Sequence, residues 1–358
     1  MRIIFNLQRT GAGDNGGTAT LFHTANVLHK LGHTVFMVSD IENQFTWFDL
    51  KGPEFILGDN KKLPDADVIV ATGVKSVKST LAANGSKGIK HWWVRAHETW
   101  SVENEGHLFA HYRNVNINKM VNSLCLQKFV QEKMDLTFPI IRPGTDIDFF
   151  KPTKIRNWKT KKLWNLGALY NEKERKRFGN VIEIFNLLKK KKVNVRLHLF
   201  GTDDLPEGIE CSSYTQKPNP EELLKFYNKV DFWIAPTVSE GLHMPPQEAM
   251  LCGCVLFGAD KELSGMVDYL VGGETGFVIE NCQDITQLID GLIVNKEGRE
   301  LLESVSKKGR EKIIDLGDRN KNVNKMIKLF ESTGPDSRRD KSPDRTNLRA
   351  LAARGRRV

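Results

Sequence analysis

Residues 235–253 read APTVSEGLHMPPQEAMLCG. Glu240 and Glu248 are separated by seven residues, with Gly241 beside the first and Pro245-Pro246 just before the second. The apolar run 231–235 (DFWIA) reads as a strand, and prolines are tolerated in the first turn of a helix. The spacing therefore puts Glu240 on a loop at the strand's carboxyl end. Glu248 falls in the first turn of the next helix, facing the same crevice. Carboxylates so placed accept hydrogen bonds from vicinal hydroxyls of a ribose or hexose. The helix N-terminus offers N–H groups to a phosphate. A bare pair of glutamates at this spacing is common. Embedded in P-x-x-x-E-G-x-x-x-P-x-x-E-A-x-x-x-G, it is specific.

The same strand–loop–helix grammar extends in both directions. Before residue 152, strands are expected at 2–7, 34–39, 68–71, 91–94, 120–121 and 139–141, with helices at 18–31 and 123–134. The first helix has Leu21, Ala25, Leu28 and Leu31 on one face, and Gly32 stands where a C-cap belongs. After a basic, polar stretch at 153–162, strands are expected at 163–166, 195–200, 231–235 and 255–257. Helices are expected near 177–192, 220–227, 246–251, 284–294, 296–314 and 320–330. Apolar strands alternating with helices predict buried parallel sheets. Two doubly wound α/β domains facing a central cleft are the simplest architecture, with ligands at the strands' carboxyl ends.

Length and composition agree. The 358 residues correspond to about two domains. With 40% hydrophobic and 27% charged residues, both can bury cores without disulfides. Five cysteines without framework spacing fit a reducing compartment. The net charge is +9, but the stretch 334–358 holds eight basic residues against three acids, so five of the nine charges belong to it. A nucleic-acid role for the folded body loses its support.

Three further local patterns have competing readings. Gly11, Gly13 and Gly16, with Asp40 after the second strand, spell a dinucleotide fingerprint. Gln8, Arg9 and Thr10 intervene after Leu7, so these glycines come too late to turn directly off the strand. Gly16 and Gly17 suit close approach to a phosphate or sugar hydroxyl at a helix start. The acidic strings Asp65-Ala66-Asp67 and Asp146-Ile147-Asp148 read as structural rather than metal-binding. Cys252 and Cys254 lack the further ligands of a zinc site.

The 235–253 segment resembles the donor-site signature of the retaining nucleotide-sugar glycosyltransferases of family 4, which have the GT-B fold. The likeness also takes in Gly16-Gly17, Asn122-Ser123, PGTDIDFFKP at 143–152, LFGT at 199–202 and GGETGFV at 272–278. It implies an acceptor domain at 1–152, a donor domain at 153–316 and a helix crossing back at 317–332. A disordered basic tail is expected at 333–358. By the same resemblance Glu248 would bind the donor ribose and Glu240 the donor sugar. Backbone at Gly241, Leu242 and His243 would lie near sugar and phosphate, with Gly16 and Gly17 also on the donor. His97, after the strand 91–94, resembles the acceptor-side histidine beside the reacting sugar.

One position departs from the family. Its usual diphosphate-binding arginine, after the second domain's first strand, is Ala168 here. Lys173, Arg175, Lys176 and Arg177 are candidate replacements. The resemblance further implies a retaining, metal-independent transfer with no cofactor beyond the nucleotide sugar. The acceptor would be a glycan, a lipid-linked or a small molecule, and the location cytoplasmic, with membrane-surface association. The aromatics Phe45, Trp47, Phe48, Trp92, Trp93 and Trp100 suit either an acceptor face or core packing. The rivals are a sugar-nucleotide epimerase of the same fold, an NAD-dependent oxidoreductase, and a binding protein without catalysis.

Overall fold

The computed structural model describes residues 1–260 and 263–334. Its first sheet is formed by β1 (Arg2–Asn6), β2 (Thr34–Ser39), β3 (Glu54–Leu57), β4 (Val68–Ala71), β5 (Ile89–Val94) and β6 (Asn118–Val121). They stand in the order β3-β2-β1-β4-β5-β6, all parallel. Helices α1 (Gly16–Lys30), α2 (Val74–Ala82), α3 (Glu105–Arg113) and α4 (Leu124–Met134) connect them.

The second sheet consists of β7 (Trp164–Tyr170), β8 (Val195–Gly201), β9 (Ser213–Gln216), β10 (Phe232–Ala235), β11 (Val255–Gly258) and β12 (Phe277–Val278). Its order is β12-β11-β10-β7-β8-β9. Helices α5 (Phe178–Lys190), α6 (Pro220–Lys229), α7 (Met244–Leu251), α8 (Cys282–Val294) and α9 (Lys296–Leu316) accompany it. Counted from its own first strand, this is the same order as the first sheet. Each order reverses once, between β1 and β4 and between β7 and β10. A crevice opens at such a reversal because the flanking connections leave on opposite faces.

The central strands are buried on both faces, as continuous apolar runs require. VIVA of β4 and FWIA of β10 have no exposed position. One side of the second sheet is filled by Leu166, Ile184, Leu197, Phe232 and Ile289, the other by Tyr227, Trp233, Met250 and Tyr269. Trp92 and Trp93 are fully buried core residues, which decides their reading in favour of packing.

Several local expectations change. The first helix begins at Gly16, two residues earlier than its apolar spacing suggests, because the Asn15 side chain accepts from Thr18 N–H and caps it there. Leu31, placed on its apolar face, is the exposed C-cap. The stretch 139–141 makes one bridge, Val121 to Ile140, and no strand. Five elements lacked a clear sequence signal: β3, β9, β12, α2 and α3. The first two are half-exposed edge strands, and β12 has two residues.

The chain crosses between the domains twice, side by side. Thr145 on the outward crossing pairs with Asp318 on the return, and Arg319 N–H donates to Thr145 O at 3.2 Å. A Cβ on Gly144 would lie 2.6 Å from the Asp318 carbonyl carbon. After this crossing α10 (Arg319–Ser332) lays Val323, Met326 and Phe330 into the first domain's core, beside α1. Thr333 is its C-cap and hydrogen-bonds His91 at 3.0 Å. The rest of the expected tail, from 335, lies outside the described residues.

Candidate functional site

The two sheet reversals face each other across a cleft of about 840 Å³. Its second-domain wall is the loop after β10. Thr237 Oγ1 and Val238 N–H donate to the Arg175 carbonyl at 3.0 and 3.1 Å, and Arg175 Nη1 donates to Ser239 O at 3.0 Å. The loop and the 173–177 segment are thus stitched together before any ligand is considered.

This stitching brings the expected cations to Glu240. Glu240 Oε1 lies 2.6 Å from Arg175 Nη1 and 2.5 Å from Lys176 Nζ. Burial alone would raise the Glu240 pKa. Lys176 above all, then His243 and Arg175, outweigh it and hold the carboxyl at about 2. The sign of the pH dependence follows. A carboxyl depressed from its ordinary 4.5 stabilises the fold above that value, and the contribution is lost as pH falls towards 2. Glu240→Gln removes it. The stability gap between wild type and Glu240→Gln, from urea unfolding at stepped pH, should be constant above pH 5 and close steadily below about 4.5. A gap independent of pH would contradict this electrostatic account.

The other cations divide. Lys173 is exposed and lines the cleft. Arg177 does not belong to it: this residue is exposed, in left-handed geometry at φ 49°, as the N-cap of α5. Ala168 lies wholly in the second-domain core, where an arginine head could not reach the cleft without displacing packing. Of the four candidate cations, Arg175 and Lys176 are the two whose heads meet Glu240.

Glu248 is the fifth residue of α7, past the first turn expected for it, because the helix opens at Met244 and not at Pro246; it accepts from the Tyr227 hydroxyl at 2.9 Å. Burial raises its pKa, partly offset by Tyr227 and by Arg319 from the return helix. Gly241 and Leu242 connect the two acids. A Cβ on Gly241 would stand 1.6 Å from the Arg95 carbonyl oxygen, at the end of β5 in the other domain. His243 is buried at the N-cap of α7, with φ 55°.

Across the cleft, Gly16 and Gly17 form the first turn of α1, whose leading N–H groups have no intrahelical partner. The Arg95 guanidinium donates to Gly17 O and to Thr72 O, at 2.5 and 2.8 Å. Trp47, Phe48 and Trp100 line the cleft, and the Arg175 guanidinium lies over the Trp100 ring at 4.9 Å. Asp14 and Lys217 join the two walls at 3.0 Å.

His97 is the main correction. It turns away from the cleft, among the rings of Phe109, Tyr112 and Phe129. Its Nε2 meets Glu105 at 2.7 Å and its Nδ1 meets the Tyr112 hydroxyl at 3.3 Å, so both ring nitrogens are engaged. The cleft-facing polar groups of that strand end are Arg95 and Glu98. The dinucleotide reading also fails: Asp40 is exposed, accepts the Arg9 N–H at 2.7 Å and does not face the cleft. Of the acidic strings, Asp65 bonds Ser86 and Lys87, and Asp67 accepts from Arg2. Among the described residues no three His, Cys, Asp or Glu side chains are grouped to hold a metal ion.

Residues 148–312 match the family described as glycosyl transferases group 1. The capsular polysaccharide biosynthesis glycosyltransferase CapM of Staphylococcus aureus is 29% identical over 144 residues. That alignment spans 37% of this chain and 37% of CapM. Among solved structures, Anabaena HepE in complex with UDP superposes with a TM-score of 0.75 at 14% identity, covering 93% of this chain and all of that one. A glycosyltransferase from Rickettsia africae gives 0.72 at 15% identity, covering 92% and 98%. The fold is GT-B.

Proposed function

We propose that the chain is a glycosyltransferase that moves a sugar from a nucleoside diphosphate sugar to an acceptor hydroxyl. The carrying observation is the Glu240–Arg175–Lys176 cluster at the second-domain sheet reversal, inside the segment that matches glycosyl transferases group 1. In this reading the bond between sugar C1 and the diphosphate oxygen breaks, and the acceptor oxygen bonds C1 on the same face. The acceptor proton leaves to the departing diphosphate. Negative charge grows on that diphosphate, and Arg175 and Lys176 answer it without a metal ion. Glu240 holds both heads in place beforehand, so little reorganisation is needed when charge develops.

Glu248 would accept the donor ribose hydroxyls, in a place buried enough to make the hydrogen bonds count. Gly16, Gly17 and Arg95 would face the phosphate or the acceptor, with Trp47, Phe48 and Trp100 against sugar faces. A glycan, lipid-linked or small-molecule acceptor is consistent with these aromatics. A cytoplasmic site of action, with membrane-surface contact, belongs to the same proposal. No helix among the described residues is long and apolar enough to cross a membrane.

The test is a thermal-shift panel of UDP, GDP, dTDP, ADP and NAD, followed by Glu248→Ala. UDP enters first because the HepE structure holds it. A ligand at 100 times its Kd adds about 2.7 kcal/mol, a shift of several degrees for a chain of this size. Glu248→Ala should weaken the stabilising diphosphate by roughly 1–3 kcal/mol. A shift with NAD and with no nucleoside diphosphate would refute the proposal. Unchanged diphosphate affinity in Glu248→Ala would refute the ribose assignment.

A further inference from the structure

We propose that the His243 side chain selects the transferred sugar, its imidazole hydrogen-bonding one hydroxyl of that sugar. The inference rests on the donor reading above and adds to it a specificity-determining residue.

Three observations carry it. First, His243 lines the cleft between Glu240 and Glu248 and is only 8% exposed, yet neither Nδ1 nor Nε2 has a hydrogen-bond partner. Buried polar groups are normally satisfied, and one left open at a cleft wall is a place for a ligand. His97 shows the contrast, with both of its nitrogens engaged.

Second, its backbone is left-handed at φ 55°, a conformation that costs a side chain with a Cβ and favours glycine. The Tyr269 hydroxyl donates to the His243 carbonyl at 2.9 Å and fixes the residue there. A histidine held in a glycine-favouring conformation, with its ring unused by the fold, is a residue kept for its side chain.

Third, the chemistry of the ring separates a hydroxyl from a phosphate. Burial, with Lys176 and Arg175 nearby, pulls the imidazole down to about 3 against the opposing pull of Glu240, so the ring is neutral at physiological pH. A neutral imidazole presents one N–H and one lone pair. A sugar hydroxyl both gives and accepts, and it matches that pair. A phosphate oxygen only accepts, and Lys176 and Arg175 already serve that need. Beyond Met244, Pro245 and Pro246 have no N–H, which leaves fewer backbone donors at this end of α7 and more to the side chain.

The experiment uses the full chain with two variants. His243→Gly removes the ring and relieves the backbone. His243→Asn keeps a donor and an acceptor and tolerates left-handed geometry. Binding of UDP, GDP, UDP-glucose, UDP-galactose, UDP-N-acetylglucosamine and GDP-mannose is measured by calorimetry, and donor KM and kcat by release of diphosphate. In His243→Gly the free diphosphate should bind within about twofold of wild type. The preferred nucleotide sugar should lose about tenfold, and the preference between sugars differing at one hydroxyl should fall by a similar factor. His243→Asn should recover part of that preference. Equal losses for diphosphate and nucleotide sugar would overturn the proposal in favour of a phosphate contact. An intact preference in His243→Gly would overturn it in favour of simple packing. Wild type binding none of the six ligands would instead overturn the donor reading on which it rests.

Discussion

Gly241→Ala should reduce kcat/KM by about 100-fold or more while leaving each domain folded. The added Cβ would stand 1.6 Å from the Arg95 carbonyl oxygen and 2.8 Å from Asn122 Nδ2. The first of these is backbone at the end of β5 and cannot swing aside. Relief requires the loop bearing Glu240 to withdraw from the first domain by more than about 1 Å, and a displacement of that size is enough for such a loss. The demand on Gly241 is for room and not for a special φ, since it is absent from the positive-φ glycines. The check is steady-state turnover beside far-ultraviolet circular dichroism. Turnover within threefold of wild type would show that the two walls need not meet.

Asp268→Ala should lower the thermal midpoint by roughly 6–12 °C, from a loss of about 3 kcal/mol or more. This carboxylate is fully buried at the seam between the domains. It accepts from Leu124 N–H at 3.0 Å and Cys125 N–H at 3.2 Å, capping α4 from the opposite domain. It also takes Arg142 Nε at 2.9 Å and Nη2 at 2.7 Å. Removing it leaves a partly buried guanidinium and the Leu124 N–H without this acceptor. Scanning calorimetry of both proteins should show the variant's unfolding broader or more split than that of the wild type, as the domains lose their coupling. A midpoint within about 2 °C of wild type would place the seam's strength elsewhere.

Much of this was legible in the sequence where the signal is local. The apolar runs of β1, β2, β4 and β10 and the proline-opened α7 follow from neighbouring residues alone. So does the placement of Glu240 and Glu248 around one crevice. The missed strands β3 and β9 lie at sheet edges, where one face is wet and the apolar pattern thins. His97 departs from its expected place for a different reason. Beyond Val94 the chain leaves extended geometry, so alternation no longer says which side chain turns inward. The cleft receives Arg95 and Glu98, and the core receives His97. The cluster at 173–177 announced cations but not which ones, because that depends on where the β10 loop grips the Arg175 carbonyl. Asp268 carried no sequence signal at all: its partners Leu124, Cys125 and Arg142 are more than a hundred residues away.

The paired crossings at Gly144–Thr145 and Asp318–Arg319 have a mechanical consequence. A single linker is a tether and allows one body to swivel about many axes. Two crossings lashed together by backbone bonds make a door hinge, with one easy rotation and stiff resistance to twist or slide. Because α10, which follows the return crossing, is anchored by Val323, Met326 and Phe330 in the first domain, the hinge pin is fixed to the frame. Any opening about that pin would have to break the Asp14–Lys217 contact that joins the two walls. A rotation restricted to one axis would return the two walls to the same register, so alignment of the groups on them would be inherited from the hinge.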